Sequence, residues 1–379
     1  MRWPAGVRSS AAACGIKTDG ASDVGLLVAD DPVAWAGTFT TNAAAAACVG
    51  WDRNLRGAPV RAVVVNSGNA NACTGEAGRA AVVTSSEGVA GALGCSPQEV
   101  LVSSTGTIGI PLDATLITEG LPGLTRDLSD DAGPFARAIL TTDTYPKAAS
   151  TSVGAATIAG VAKGAAMMAP NMATMLAFVA TDARSSVEAL QASLNDAVNR
   201  TFNRLCLDAC ESTNDMVIVL ATGRGPSVEP NELTAGLTEV CAELAEKIAR
   251  DAEGGTKLLR ISIEGALDEP AAVSLGKAVA SSDLWRAAAH GGDPNWGRIL
   301  SALGACDRGL DLERVEVALG DEIVFAKGEP IGRLAVAAAT LRRSEVAIRC
   351  VVGDGPGEAE VLSADLSEEY VTLNAEGAT

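Results

Sequence analysis

Lys163-Gly164-Ala165-Ala166-Met167-Met168-Ala169-Pro170-Asn171-Met172-Ala173-Thr174-Met175-Leu176-Ala177-Phe178 is the stretch whose reading decides the rest of the chain. No charge occurs from Gly164 to Thr181. Pro170 lacks an amide donor and biases Ala169 toward extended backbone, so a helix arriving from the left stops there. Beyond the break, Met172, Thr174, Leu176 and Phe178 alternate as a short buried strand, with Thr174 near its start. Two readings share these residues. One is an ordinary core strand, which the run taken alone favours. The other is the layout of an N-terminal-nucleophile enzyme, with the small Ala173 ahead of Thr174. Cutting the bond between them frees an α-amine beside a hydroxyl. Such an amine has a pKa of roughly 7.7–8.0 and acts as a base at neutral pH.

Outward from this stretch, composition narrows the choices. A chain of 379 residues has room for about two domains, and a 47% hydrophobic share is enough for a sizeable core. Aromatic residues make up only 3%, so that core is built from Val, Leu, Ile, Ala and Met. A formal charge of -18 argues against nucleic acid and anionic membranes as partners. Nine cysteines with no C-x-x-C pair suit reduced thiols in a cytoplasmic protein, not a disulfide framework. The N-terminus has no apolar run of a signal peptide. The uncharged run is too rich in Pro, Asn, Thr, Gly and Ala to span a membrane. His290 is the only histidine, which excludes a zinc site with several His ligands. Any Ser-His-Asp or Cys-His arrangement must use His290, so a nucleophile activated by its own amine gains ground.

In chain order the pattern is that of an α/β protein. A strand over 60–66 runs into a polar loop over 67–75 and a helix to about residue 93, with Thr74 as its N-cap. That loop suits a ligand, or merely a turn. A strand over 100–104 ends in Thr105-Gly106-Thr107-Ile108-Gly109, where amides and a hydroxyl can converge on an oxyanion or simply form a bend. A loop over 127–134 leads to a helix ending near 140, the polar cluster 141–147 and a single strand-like run over 151–161. Ser185-Ser186-Val187-Glu188 has the form of a capping box ahead of a helix. Leu233, Leu237, Val240, Leu244 and Ile248 make the core face of another. Glu253, in the turn after it, suits a substrate ammonium or plain solvation. Strands follow over 216–221, 258–263 and 346–352, with a helix over 334–343.

The motifs Asn66-Ser67-Gly68-Asn69-Ala70-Asn71, Ser104-Thr105-Gly106-Thr107-Ile108-Gly109 and Thr141-Thr142-Asp143-Thr144-Tyr145-Pro146-Lys147 come first. Lys163-Gly164, Pro170-Asn171-Met172-Ala173-Thr174-Met175-Leu176 and Ser212-Thr213-Asn214-Asp215 follow. Glu253-Gly254-Gly255-Thr256-Lys257 and Asp293-Pro294-Asn295-Trp296-Gly297-Arg298 complete the order. Together, over nearly the whole chain, they resemble the ornithine acetyltransferase family, also called glutamate N-acetyltransferase, of arginine biosynthesis.

The resemblance implies a two-domain α/β structure of stacked sheets between helix layers, an αββα-type fold like that of N-terminal-nucleophile aminopeptidases. It implies self-cleavage at Ala173–Thr174 into an alpha chain, 1–173, and a beta chain, 174–379, that share one active site. Thr174 is then the nucleophile and Thr105 with Gly106 the oxyanion hole. Thr141, Lys163, Thr174, Glu253, Asn374 and Thr379 are the implied substrate contacts. The implied reaction moves acetyl from N-acetyl-L-ornithine to L-glutamate through acetyl-threonine. No cofactor or metal is implied; acetyl-CoA is a possible second donor, and an α2β2 heterotetramer is the expected assembly. The alternatives are a paralogue acting on another N-acyl amino acid, an amidohydrolase or aminopeptidase with the same nucleophile, and a non-catalytic amino-acid-binding protein.

Overall fold

The computed structural model describes residues 1–167 and 175–376. Its larger sheet contains β1 (Val7–Ala12), β2 (Val24–Phe39), β3 (Val60–Asn69), β4 (Val100–Thr107), β5 (Lys147–Val153), β6 (Ala156–Lys163), β7 (Leu176–Thr181) and β8 (Met216–Ala221). The strand order is β4-β3-β2-β8-β7-β6-β5, with β1 paired to β2 outside this path. The pairs β3–β4 and β7–β8 are parallel, and the remaining pairs are antiparallel.

One long strand ties the sheet together. β2 pairs with β1 through residues 24–29, with β3 through residues 24–28 and Val33, and with β8 through residues 34–39. Between them lies Asp30-Asp31-Pro32, with Asp31 and Pro32 exposed, where the register against β3 shifts. Proline has no N–H for the ladder, so the strand changes partners there.

The two halves of the sheet face each other. Along β7 and β8, Phe178, Ala180, Ile218 and Leu220 pack in one core with Leu26, Val64, Val102 and Phe135 of the first half. The alternate residues Ala177, Val179, Val217 and Val219 pack in a second core with Leu194, Leu237, Val240 and Leu244. A strand buried on both faces reads as an unbroken apolar run, which is how 216–221 stands in the sequence. Phe135 meets Phe178 edge to face at 5.4 Å across the inner core. Helices α1 (Ala47–Asn54), α2 (Gly75–Leu93) and α3 (Ala114–Arg126) cover the first half, and the short α4 (Gly133–Ala138) feeds the inner core. Helices α5 (Val187–Arg200) and α6 (Pro230–Arg250) cover the second half. The result is the expected helix–sheet–sheet–helix stack.

The second sheet has the order β12-β11-β10-β13-β9-β14, from β9 (Leu258–Ala266), β10 (Glu316–Leu319), β11 (Glu322–Ala326), β12 (Glu329–Pro330), β13 (Glu345–Val351) and β14 (Gly357–Ala364). Helices α7 (Glu269–Ala280), α8 (Asp283–Gly291), α9 (Trp296–Cys306) and α10 (Leu334–Thr340) pack on it around the buried Trp285. Helix α11 (Glu368–Glu376) closes the described chain. No described helix is long and apolar enough to cross a membrane.

Four local expectations need correction. The single run over 151–161 is the hairpin β5–β6, turning at Gly154, whose φ is +58. Thr74 occupies the N-cap position of α2 as expected but makes no side-chain capping bond; its hydroxyl donates to Asn71 Oδ1 at 3.0 Å. At α5 the cap is Ser186, accepting from Ala189 N–H, and Glu188 falls one position short of a capping box. β3 and β4 each run three residues beyond the expected ends at 66 and 104, because their polar ends go on pairing, Ser67 with Thr105 and Gly68 with Gly106.

Candidate active site

Those polar strand ends form one wall of a cleft. At Gly106 the backbone has φ +131, and a Cβ there would lie 2.3 Å from the Gly68 carbonyl carbon, so only glycine fits. Asn214 sets the height of this wall. Its Nδ2 donates to Ala70 O at 2.7 Å and Ser104 O at 2.8 Å, clamping the two strand ends together. Ser104 in turn donates to Asn66 Oδ1 at 2.7 Å, and Asn66 Nδ2 donates to Asn69 O at 2.8 Å. Asn66 therefore serves as scaffolding for the loop that follows it.

Lys163, the last residue of β6, faces this wall. Its ammonium donates to Thr105 Oγ1 at 3.3 Å. Burial pushes the Lys163 pKa down; Asp143, Asp215 and Glu253 act against that, and Lys147 with it. The next backbone amide, Gly164 N–H, donates to Asp143 Oδ1 at 2.6 Å. Asp143 also pairs with Lys147 Nζ at 2.6 Å, and Lys147 pairs with Asp251 at 2.6 Å. The three side chains are at most 3% exposed. Burial alone would raise the Asp143 pKa, but Lys163 and Lys147 hold it below the usual carboxylate value. Asp251 accepts from Thr144 N–H at 3.0 Å and from the Thr144 hydroxyl. This buried chain of charges fixes the 141–147 loop between β6 and the end of α6.

Glu253 follows Asp251 by two residues. Its N–H donates to Ala165 O at 2.9 Å, and its carboxylate accepts from Asn374 Nδ2 at 2.9 Å. Asn374 arrives on α11, which rests against Gly254. That glycine has φ +64, and a Cβ on it would lie 2.3 Å from Tyr370 N. Ser367 Oγ donates to Gly254 O at 2.5 Å and anchors the start of the helix.

Six residues singled out in the sequence, Thr105, Gly106, Thr141, Lys163, Glu253 and Asn374, therefore line one cleft. They come from positions 269 apart in the chain at the extremes and from both halves of the sequence. Ala173, Thr174 and Thr379 lie outside the described residues. The cleft carries a cation, Lys163, and an anion, Glu253, together with hydroxyls and amides at the β3 and β4 ends. Such a lining suits a zwitterion, a small molecule with both an ammonium and a carboxylate. His290 takes no part in the lining: its Nδ1 meets Asp365 Oδ2 at 2.8 Å, and Asp365 also accepts from Thr256 and Lys257 N–H. Among the described residues no cluster of three His, Cys, Asp or Glu is placed to hold a metal ion. Sequence reasoning missed the supporting roles of Asn214, Asp143, Lys147 and Asp251; the only signal was the position of the first three inside polar motifs, and Asp251 carried none.

A model of the ArgJ family matches residues 8–379. The chain belongs to the ArgJ family. The arginine biosynthesis bifunctional protein ArgJ of Thermus thermophilus is 44% identical over 384 residues, covering 99% of this chain and 98% of that one. The crystal structure of ArgJ from Bacillus halodurans is 34% identical, matches 52% of this chain and 96% of its own, and gives a TM-score of 0.50. A Mycobacterium tuberculosis ornithine acetyltransferase, solved in complex with ornithine, is 33% identical, matches 44% of this chain and 92% of its own, and gives a TM-score of 0.39. ArgJ is the ornithine acetyltransferase family that the motifs resemble, so this ArgJ-family chain is an enzyme, an acetyltransferase of arginine biosynthesis.

Proposed function

We propose that this ArgJ-family enzyme cuts itself between Ala173 and Thr174 and then carries acetyl on Thr174 from N-acetyl-L-ornithine to L-glutamate. The convergence of Thr105, Gly106, Lys163 and Glu253 on one cleft, beside the strand that Thr174 leads into, is the observation that carries this reading. The Bacillus halodurans chain adds support: it is nearly all matched, yet by about half of this sequence, as a fragment of a divided precursor would be.

In the first half-reaction Thr174 Oγ attacks the acetyl carbonyl while the Thr174 α-amine takes the hydroxyl proton. The carbonyl oxygen becomes an oxyanion, met by the Thr105 and Gly106 donors. One such donor is worth on the order of 3 kcal/mol. Collapse breaks the amide bond, the leaving nitrogen takes the proton back from the α-ammonium, and ornithine departs. Glutamate then enters the same cleft, and its amine attacks acetyl-Thr174 by the reverse of these steps. Glu253 receives a substrate ammonium. Lys163 receives a carboxylate and sets the electrostatics around the nucleophile, while Thr141, Asn374 and Thr379 complete the substrate contacts.

No cofactor is needed for this chemistry. Acetyl-CoA would serve as an alternative acetyl donor. The working form is the cytoplasmic α2β2 heterotetramer of alpha chain 1–173 and beta chain 174–379. Intact-mass measurement before and after adding N-acetylornithine tests the proposal. The expected result is two fragments, with an acetyl adduct on the one beginning at Thr174. An uncut chain that still turns over, or an adduct on the other fragment, overturns it.

A further inference from the structure

Asp215 is 1% exposed and sits just ahead of β8, in the inner layer of the stack. Thr40 N–H donates to its carbonyl at 2.8 Å. The β7–β8 ladder begins one residue later, with Leu176 opposite Met216. Met175, ahead of β7, therefore has no rung for its N–H. The Asp215 side chain supplies one: Oδ1 accepts Met175 N–H at 2.9 Å. From the other side Met216 N–H donates to Met175 O at 3.1 Å. The Met175 backbone is thus held at both ends, at the residue that directly follows position 174.

The other oxygen is different. Oδ2 is buried and, among the described residues, has no hydrogen-bond partner. A bare carboxylate oxygen in such a place is strongly disfavoured, whereas a neutral carboxyl group is tolerated. Burial pushes the Asp215 pKa well above the carboxylate range; the Met175 amide, the Ser212 hydroxyl and Lys163 of β6 offset this only in part, and Glu211 adds to it. The residue needed here is therefore an acceptor of fixed length.

We propose that Asp215 is a positioning residue for acetyl transfer, whose carboxyl group replaces a missing strand rung and fixes the backbone on the C-terminal side of residue 174. The inference rests on the reading of Thr174 as nucleophile. It divides the work of the Ser212-Thr213-Asn214-Asp215 motif between two neighbours. Asn214 holds the oxyanion wall, and Asp215 holds the Met175 backbone, next in sequence to the attacking residue. The two are adjacent in sequence, so both partners of the reaction are set from a single short segment.

The test uses the full-length chain with Asp215→Leu, Asp215→Asn and Asp215→Glu, and with Thr174→Ala in parallel. Self-cleavage is read by intact mass, and kcat and KM for N-acetylornithine by kinetics. A lost anchor displaces the nucleophile by a fraction of an ångström to an ångström, so Asp215→Leu lowers kcat by about 100-fold with KM little changed. Asp215→Asn keeps the acceptor oxygen and recovers most of kcat, while Asp215→Glu, one methylene longer, does not. A merely structural residue would lower thermal stability without this order of kcat. Parental kcat in cleaved Asp215→Leu overturns the proposal. Should that variant fail to accumulate, Asp215→Glu more active than Asp215→Asn overturns it equally. Thr174→Ala that still cleaves and turns over removes the nucleophile reading itself, a result distinct from either.

Discussion

At Gly106 the backbone lies against Gly68 so closely that one added methyl group meets a carbonyl carbon. Gly106→Ala therefore strains a backbone at φ +131 and pushes β3 from β4. We expect a loss of about 1–3 kcal/mol in stability, read by thermal unfolding, together with loss of the acetylated fragment in the mass spectrum. Asp52 gives a second residue-level outcome. It is fully buried on α1, its Oδ1 accepts Val102 N–H at 2.9 Å, and among the described residues its Oδ2 has no hydrogen-bond partner. Burial raises its pKa well above normal. A carboxyl whose folded pKa is raised favours the fold fully below the unfolded value of about 3.9, and loses that advantage as pH climbs toward the folded value. Asp52→Asn has no such titration. Its stability relative to the parent should rise from pH 4 to pH 8, by about 1 kcal/mol per pH unit while the folded carboxyl remains protonated. Flat behaviour across that range would show that Asp52 is ionised in the fold. Thr105 and Gly106 stand out in the sequence only through the motif they share, since small polar residues at a strand end form an ordinary bend as readily as a site. Asp52 does not, since nothing in its neighbours Trp51 and Arg53 announces complete burial.

Among the elements, the 141–147 loop and α11 hold the cleft from opposite sides. Lys147 sits between Asp143 and Asp251, all three shut off from water. Lys147→Met strips Asp251 of its ion-pair partner and leaves Asp143 with Lys163 alone, and should cost roughly 3–5 kcal/mol in urea unfolding. Adding Asp143→Asn and Asp251→Asn to it should restore part of that loss, since an apolar and hydrogen-bonded replacement of a buried charge cluster is far better tolerated than a broken one. On the other side, Gly254→Ala thrusts a methyl group against Tyr370 and lifts the helix that carries Asn374. We expect KM for N-acetylornithine to rise about tenfold, equivalent to roughly 1.4 kcal/mol, with a smaller change in kcat. An unchanged KM would separate α11 from substrate binding. The amphipathic face of α6 is plain from its spacing, and all five of its singled-out residues are buried. The hairpin β5–β6 reads as one strand because Gly154-Ala155 carries none of the usual turn pairs. The buried charges are hidden for the opposite reason: Asp143, Thr144 and Lys147 look like a solvated loop until Asp251, more than a hundred positions on, closes over them.

Over the whole molecule, the alternation of apolar residues foretells two-sided strands but not their order. That order depends on pairings such as β2 with β8, across nearly two hundred residues, which no local pattern encodes. It has a direct consequence for the proposed division at 173/174. β7 and β8, from the second half, lie between β2 and β6 from the first. The two fragments thus share continuous backbone ladders and one inner core. They should co-elute in size-exclusion chromatography under native conditions and part only in denaturant. Elution as two species without denaturant would contradict the shared sheet.

The placement of β8 also sets a clock for the newborn polypeptide. When the first 173 residues have left the ribosome, the slot between β2 and β6 is still empty, because the strands that fill it are unwritten. Asp215 and Glu253 come later still, and α11 last of all. A truncated translation product therefore lacks the grip on Met175 and half of the charged lining. Under the self-cleavage proposed above, maturation is therefore reserved for finished chains, and the proposed bond at Ala173–Thr174 becomes a seal broken only after assembly.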